Sequence, residues 1–256
     1  MNGLALLWRQ VRFTNKTFWR NPASAFFTFA FPLLFLVIFT TLLGNEEVSF
    51  GVETIKTSTY YVASMATFGL ISACYTNIAI SMVFARESGV LKRTRGTPLP
   101  PWSYLGARVV HASLVGFLLV AITVVFGVLV YDASVPSGTD LFRFVVTLLV
   151  GSGCFAAIGL AVTGFVPNAD AGPPIVNAVI LPLLFLSGVF LVIADDAPAW
   201  VTFAGRVFPV RHLVDAFRSS FLGLADFRWS DVVVLGVWLV VGVAVAARTF
   251  RWEPRR

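Results

Sequence analysis

Residues 23–43 read ASAFFTFAFPLLFLVIFTTLL, a stretch without a charged side chain. About 20 predominantly apolar residues are enough for a helix to cross the hydrocarbon core of a bilayer. We therefore interpret this stretch as a membrane-spanning helix, and the rest of the chain is compared with it.

The composition of the whole chain agrees with that interpretation. Hydrophobic residues make up 57% of the 256 residues and charged residues only 12%, whereas a soluble domain averages about 45–50% and about 25%. The mean hydropathy is +0.84. A water-soluble fold of this size could not hide so much apolar surface, so the chain is predicted to be an integral membrane protein.

Five further stretches resemble the first in length and apolar character. The predicted spans are residues 23–43, 60–85, 104–130, 141–166, 174–193 and 232–247. None alternates apolar and polar residues as the strands of an outer-membrane barrel do. The expected fold is all-α: a polytopic membrane protein with six transmembrane helices, forming one domain over residues 23–256.

The first 22 residues precede this domain and have two faces on a helical wheel. The apolar face carries Leu4, Leu7, Trp8, Val11 and Phe18, and the basic face carries Arg9, Arg12, Lys16 and Arg20. Such a pattern is typical of an amphipathic helix lying in the membrane interface. A charged flank that only sets topology is the alternative.

Basic residues also cluster after the second span and in the carboxyl-terminal tail, and the net charge is +6. With six spans, these two clusters and the amino-terminal segment lie on one side of the membrane. The positive-inside tendency then places both termini in the cytoplasm. Anionic lipid headgroups, rather than nucleic acid, are the expected partners of this charge.

The segment between spans five and six, residues 194–231, is predicted to contain a short extracytoplasmic helix. Pro209 suits the first turn of a helix, and Arg211, Asp215 and Arg218 follow at spacings that permit ion pairs. The opposite face is apolar and consists of Val210, Leu213, Val214, Phe217 and Phe221. This helix is too amphipathic to span lipid alone and is expected to pack on the other helices or dip into the outer leaflet.

Several kinds of chemistry have no residues to support them. The sequence has no phosphate-binding Gly-x-x-x-x-Gly-Lys-Ser/Thr loop, so any ATP must bind another polypeptide. The spans carry no carboxylate at mid-depth, which argues against coupling to an ion gradient. Two histidines and two cysteines offer neither a multi-histidine metal centre nor a disulfide framework. The chain itself is therefore not expected to be an enzyme.

Three motifs, taken in order, carry a resemblance to a known family. They are Arg86-Glu87-Ser88-Gly89-Val90-Leu91-Lys92-Arg93 followed by Thr97-Pro98-Leu99, then Leu186-Ser187-Gly188-Val189-Phe190 followed by Pro198 and Trp200, and finally Phe208-Pro209 leading to Val214-Asp215-Ala216-Phe217-Arg218. With the six-span plan, they make the chain similar to the membrane subunits of ABC-2 type exporters. That group includes daunorubicin-resistance-like and polysaccharide-export permeases. The chain departs from many relatives at Leu191 and at Arg211-His212.

The resemblance implies an assembly in a bacterial inner membrane. Two permease subunits, identical or different, would pair, and two copies of a separate ABC ATP-binding subunit would dock beneath them. ATP and Mg²⁺ would belong to that subunit. The link after span two would be the coupling helix, although a solvated topology loop is the alternative. Its expected contact residues are Arg86, Glu87, Gly89, Lys92, Arg93 and Arg95.

The resemblance also implies a substrate path along the subunit interface, past spans one, two and five. The expected lining residues are Phe35, Phe68, Thr76, Asn77, Asn177 and Ser187. Each buried asparagine amide needs a partner, which could be the cargo or a neighbouring helix. The favoured cargo is a hydrophobic or amphipathic drug or lipid. The alternatives are a polysaccharide or glycolipid, or no transport at all in a membrane enzyme or scaffold.

One packing pattern in span four is independent of the resemblance. Gly153, Ala157 and Ala161 recur every four residues, and small residues at this spacing let two helix backbones approach closely. We therefore predict that a neighbouring helix packs tightly along this face.

Overall fold

A computed structural model of the chain describes residues 3–44, 47–50, 53–191, 198–222 and 227–253. Within these ranges the structure is almost wholly helical, which confirms the all-α polytopic class. The helices are α1 (Gly3–Trp19), α2 (Pro22–Leu43), α3 (Thr57–Ile71), α4 (Asn77–Glu87), α5 (Val90–Arg95), α6 (Pro101–Tyr131), α7 (Gly138–Thr163), α8 (Gly172–Leu186), α9 (Ala199–Val207), α10 (Pro209–Leu222) and α11 (Trp229–Thr249). One short antiparallel hairpin, β1 (Glu47–Phe50) and β2 (Glu53–Lys56), precedes α3.

Five helices are long and apolar enough to cross a membrane. They are α2, the continuous helix Thr57–Glu87 that comprises α3 and α4, α6, α7 and α11. Their backbone amides and carbonyls are paired within each helix, as a segment in lipid requires. The predicted spans one to four and six each fall on one of these helices.

The fifth predicted span, residues 174–193, differs from the prediction because its helix is shorter. At about 1.5 Å per residue, the 15 residues of α8 rise roughly 22 Å, less than a hydrocarbon core of about 30 Å. Gly188 ends the helix, since its left-handed φ of 74° closes the last turn. The predicted end at residue 193 lies outside the described residues.

The side chains of the continuous helix Thr57–Glu87 are buried on most sides. This helix therefore lies at the centre of the bundle. Most of α2, by contrast, exposes its apolar side chains, including Phe26, Phe27 and Leu42. A surface of that kind suits contact with lipid or with another membrane subunit rather than with water.

Small residues bring α7 and α11 together, as the spacing in span four predicted. A Cβ added to Gly242 of α11 would lie 3.0 Å from the Cβ of Ala157. One turn further along, the hydroxyl of Thr249 donates to the carbonyl of Ala161 over 3.5 Å. The tight packing predicted from Gly153, Ala157 and Ala161 is therefore confirmed.

A π-helical turn, Ser72–Thr76, joins α3 to α4 in the middle of the membrane-spanning length. The backbone of α7 approaches it closely, since a Cβ on Gly159 would lie 2.8 Å from the carbonyl oxygen of Tyr75. The Tyr75 hydroxyl donates to the carbonyl of Val176 on α8 over 3.3 Å. The wide turn therefore sits where α4, α7 and α8 meet, and such turns occur frequently at functional positions.

The three basic segments meet at one end of the bundle, which we call the basic end. The hydroxyl of Ser103, at the start of α6, donates to the carbonyl of Gly3 over 3.0 Å. The ring of Trp252 in the tail lies 6.2 Å from that of Tyr104. The hairpin, the end of α6, the start of α7, α9 and α10 form the opposite end.

Candidate functional site

The link between α4 and α6 folds into a short helix at the basic end. Residue Gly89 makes the turn possible, because it adopts a left-handed φ of 71° that a side chain would strain. The next six residues form α5, and the hydroxyl of Thr97 caps it by donating to the carbonyl of Thr94 over 2.7 Å. Pro100 and Pro101 then begin α6. The link is therefore ordered along its length rather than a loose connection.

The structure corrects the role expected of Arg86. This side chain is only 2% exposed, so its guanidinium is not available to contact a partner protein. It donates to the carbonyls of Thr163 over 3.0 Å, Val166 over 2.8 Å and Pro167 over 3.3 Å. The carbonyl of Thr163 belongs to the last turn of α7, where it has no partner within the helix, and Val166 and Pro167 lie in the segment that follows. Arg86 therefore fastens the end of α4 to the end of α7.

The remaining residues predicted for the coupling surface are accessible to different degrees. Lys92, Arg93 and Arg95 are exposed on α5, whereas Glu87 is partly buried and bonds Arg86 over 3.2 Å. Leu91, on the inner face of the same helix, is fully buried. One face of α5 is thus anchored in the bundle while the other presents three cationic side chains.

A groove of about 820 Å³ runs between α1 and α5. It is lined by Leu6, Arg9, Gln10, Val90, Arg93, Thr94, Thr97, Pro98 and Leu99. Arg9 on one wall and Arg93 on the other give it a positive charge, and apolar side chains form its floor. An acidic or polar segment of another protein matches such a groove in charge.

Aromatic rings from α2, α3, the end of α8 and the turn after α8 pack into one continuous surface, which we call the aromatic wall. Its members are Phe31, Phe35, Phe39, Tyr61, Phe68, Phe185 and Phe190. The rings of Phe35, Phe68 and Phe190 lie 5.4 to 6.0 Å apart in every pairing. The structure therefore brings together the two aromatic residues predicted to line the path and adds Phe190 to them.

The polar residues predicted for the same path are more dispersed. Thr76 lies in the π-helical turn, and Asn177 lies partly buried on α8. Ser187 follows α8 next to the aromatic wall, and its buried hydroxyl has no hydrogen-bond partner in the described part of the chain. Asn77 instead lines a small pocket beneath α1. These four residues do not form a single stripe.

The helix predicted from Pro209 onward is present as α10. Its apolar face is buried as expected, and Arg211 pairs with Asp215 over 3.5 Å. The guanidinium of Arg218 contacts other groups instead. Its guanidinium donates to the hydroxyl of Ser64 over 2.8 Å and to the carbonyl of Gly188, and it lies 3.8 Å from the centre of the Tyr60 ring. Arg218 thereby joins α10 to α3 and to the turn that carries Phe190.

A second polar contact holds α10 to α11. Nδ1 of His212 lies 2.6 Å from the carboxylate of Asp231, and Nε2 lies 2.8 Å from the carbonyl of Arg206. The hydrogen bond with Asp231 raises the pKa of His212, and burial opposes that shift only in part.

Sequence reasoning missed the partners of these cations. The chain separates Arg218 from Ser64 by 154 positions and Arg86 from Thr163 by 77. Local spacing cannot reveal such pairs, because only the packing of helices brings them into contact. One available signal was the position of Arg86 at the last turn of a span, where a cation can bond free helix carbonyls.

Comparison with known proteins agrees with this architecture. A family model described as ABC-2 type transporter matches residues 3–222. The chain is 26% identical over 216 residues to the inner membrane transport permease YadH of Escherichia coli K12, covering 82% of this chain and 79% of YadH. It is 23% identical over 222 residues to the transport permease YvfS of Bacillus subtilis, covering 87% of each. The chain therefore belongs to the ABC-2 type transporter family of membrane proteins.

Proposed function

We propose that this chain is the permease subunit of an ATP-driven exporter in a bacterial inner membrane, with both termini in the cytoplasm. Two such subunits, identical or different, would pair, and a separate ABC ATP-binding subunit in two copies would supply ATP and Mg²⁺. The family and the names of the relatives support a transport permease. The cytoplasmic placement follows from the clustered basic segments and the positive-inside tendency.

The arrangement of α5 is the observation that carries the proposal. A movement transmitted from an ATPase needs a surface that is both accessible and rigidly attached to the spans. The exposed face of α5 provides three cations, and its buried Leu91 and the neighbouring Arg86 attach it to the bundle. Arg86 of α4 bonds carbonyls at and just beyond the end of α7. A displacement of α5 would therefore move both α4 and α7.

The aromatic wall is the proposed cargo surface. Phe31 is 48% exposed, and Phe35 and Phe68 are partly exposed, so the wall is accessible from the side of α2. Rings at these separations offer dispersion and edge contacts to an apolar ligand. We therefore propose a hydrophobic or amphipathic cargo, such as a drug or a lipid, taken from the cytoplasm or the inner leaflet.

Docking is tested by co-purification with an ABC ATP-binding subunit of the same host. The test variant replaces Lys92, Arg93 and Arg95 with alanine. Loss of three charges at the interface should weaken capture of the ATPase about tenfold or more and remove its stimulation in vesicles. The matched control replaces Arg12, Lys16 and Arg251, which are exposed at the same end. Equal capture by both triple variants would reject α5 as the docking surface.

Cargo class is tested by stimulation of ATP hydrolysis in the reconstituted complex. Lipophilic cations and short-chain lipids should stimulate ATP hydrolysis. The variant Phe68→Ala should change which of these compounds stimulates hydrolysis most. Phe142→Ala is the control, since Phe142 is 61% exposed on α7 and lies outside the aromatic wall. Stimulation only by a lipid-linked glycan would assign the chain to polysaccharide or glycolipid export. No stimulation and no bound ATPase would favour a membrane enzyme or scaffold.

A further inference from the structure

A polar pocket of about 220 Å³ lies where α1, α2, α4 and α6 meet at the basic end. Arg108 and His111 of α6 line it, and Asn77 and Ser81 of α4 face them. Further hydroxyl and amide groups come from α1 and from the α1–α2 connection. The pocket therefore gathers hydrogen-bonding side chains from four elements.

Arg108 gives the pocket a positive charge that its surroundings do not balance. One guanidinium nitrogen donates to the Tyr104 hydroxyl over 3.1 Å, and the group lies 5.3 Å from the centre of the same ring. Nε of Arg108 is buried and has no hydrogen-bond partner within the described residues. The residues found to line the pocket include no Asp or Glu. Arg108 as a whole is only partly buried, so an anion that enters the pocket can reach its guanidinium and form a charge-assisted hydrogen bond with it.

His111 provides a second polar atom without a partner. The side chain is only 6% exposed, and no described residue bonds its Nε2. Most buried polar side-chain atoms in proteins do have a partner. The ring of His111 meets the edge of Phe18 at a centroid distance of 5.6 Å. Arg108 and His111 of α6 thus line the same small pocket, and each carries a buried polar atom that no described residue bonds.

An apolar groove adjoins this pocket on the other side of Phe18. The groove measures about 560 Å³ and is lined by Trp19, Pro22, Ala25, Phe26, Phe29, Ala30 and Leu33. Phe18 contacts Trp19 and Phe29 of the groove at centroid distances of 5.3 and 6.4 Å. Phe18 therefore lines the cationic pocket and also contacts two side chains of the apolar groove along α2.

We propose that this combined site binds one anionic phospholipid from the leaflet that contacts α1. The phosphate would accept hydrogen bonds from Arg108, His111 and Asn77, and one acyl chain would lie in the groove along α2. A phosphate is the anion that best matches a guanidinium and neutral donors in a small pocket. The adjoining groove favours a lipid over free phosphate. This inference does not depend on which cargo the transporter moves.

The bound lipid would also fasten α1. Thr14, Thr17 and Phe18 of α1 line the pocket together with residues of α4 and α6. A headgroup in contact with all three helices would resist their separation. The protein with bound lipid should therefore hold α1 against the bundle more firmly than the protein without it.

The site is tested by native mass spectrometry of the detergent-purified full chain. The probes are dioctanoyl phosphatidylglycerol, dioctanoylglycerol without a phosphate, and inorganic phosphate alone. We expect one tightly held phosphatidylglycerol per chain and no saturable binding of the other two. Arg108→Gln should weaken lipid binding about tenfold or more, the usual scale for losing a charge-assisted contact. Arg12→Gln removes the same charge outside the pocket and should change binding less than about twofold.

Two further variants keep the test decisive if Arg108→Gln does not fold. His111→Phe retains the ring contact with Phe18 but loses the polar nitrogen, and Ala30→Phe fills the groove. Both should weaken phosphatidylglycerol binding severalfold. Equal losses in Arg108→Gln and Arg12→Gln would overturn the proposal, because binding would then reflect surface charge. Equal binding of dioctanoylglycerol would remove the role of the phosphate, and equal binding of inorganic phosphate would remove the role of the groove.

Discussion

The two ends of the helix bundle treat their charges in opposite ways. At the opposite end, four basic side chains pair with carboxylates within the chain: Lys56 with Asp132, Arg143 with Asp140, Arg211 with Asp215 and His212 with Asp231. Arg206 and Arg228 are exposed at that end and form no ion pair with described residues. At the basic end, Arg86 is the one cation in the described part of the chain that pairs with a carboxylate. Lys92, Arg93 and Arg95 are exposed and form no ion pair with described residues.

This difference in charge pairing indicates that the charges have different roles at the two ends. Charges that are paired within the chain help to hold α10, the hairpin and the span ends in place, and most of the cations of the opposite end are of this kind. Cations without internal partners are open to other molecules, and proteins that meet an acidic surface present such groups. The comparison predicts that charge removal affects stability at one end and interactions at the other, with Arg86 as an exception.

The largest effect on stability is expected for Arg86→Met. This substitution keeps an apolar stem but leaves the carbonyls of Thr163, Val166 and Pro167 without their donor. Removing a buried charged donor with several acceptors should destabilise the protein by about 3 kcal/mol or more. The measurement is denaturant unfolding in mixed micelles.

Lysine at the same position provides a graded control. An ammonium cannot present the planar set of donors that guanidinium offers, so Arg86→Lys should recover only part of the loss. If Arg86→Met unfolds at the wild-type midpoint, the buried hydrogen bonds of Arg86 contribute little to stability. Arg86 would then not be an exception among the cations of the basic end.

A smaller loss is expected for Arg218→Met at the opposite end. The variant removes the hydrogen bonds to Ser64 and Gly188 and the contact with the Tyr60 ring. Together these should contribute about 2 kcal/mol. Arg206→Met is the matched control, because Arg206 is exposed on the neighbouring helix α9. Equal unfolding midpoints for the two variants would show that the contacts of Arg218 do not contribute to holding α10.

The pair of His212 and Asp231 should give the opposite end a pH dependence. Because the hydrogen bond with Asp231 raises the pKa of His212 above its ordinary value of 6.5, the pair stabilises the folded state fully below that value. The stabilisation is lost as pH rises through the folded-state pKa. Its size is on the order of 1 kcal/mol.

This dependence is measured by comparing unfolding midpoints between pH 6 and pH 8 in the wild type and in Asp231→Asn. The amide removes the negative charge, so the variant should lose most of the difference between the two pH values. A variant with an unchanged difference would show that another group titrates. Arg211→Met is a useful control, since Arg211 pairs with Asp215 instead.

Much of this fold could be predicted because a bilayer requires each span to be a helix with enough consecutive apolar residues to cross it. Five predicted spans coincide with helices, and Gly153, Ala157 and Ala161 do pack against α11. Apolar length and small-residue spacing are local properties, so they can be counted along the chain. The short α8 was not predicted, because apolar residues continue beyond Gly188 although its backbone ends the helix.

The candidate site was less predictable for a related reason. The sequence indicated that the link of residues 86–102 is basic and ends in a stretch with Pro98, Pro100 and Pro101, but not which cations are exposed. Arg86 and Arg93 are both arginines and lie seven positions apart. Only Arg86 donates hydrogen bonds to carbonyls at and just beyond the end of α7. Phe35 and Phe68 were predicted to line one path and do meet. Asn77 was predicted with them and lies in a different pocket, since helix rotation separates residues that composition treats alike.

The smallest effect on stability is expected where the effect on function should be largest. Replacing Lys92, Arg93 and Arg95 with alanine should change the free energy of unfolding by no more than about 0.5 kcal/mol, the usual range for exposed substitutions. Alanine also favours the helical state of α5. Denaturant unfolding of the chain without its ATPase measures this directly. A loss above about 1 kcal/mol would mean that α5 uses these cations inside the chain, and the contrast between the two ends would fail. A stable variant that no longer captures the ATPase would instead show that the basic end keeps these charges for a partner.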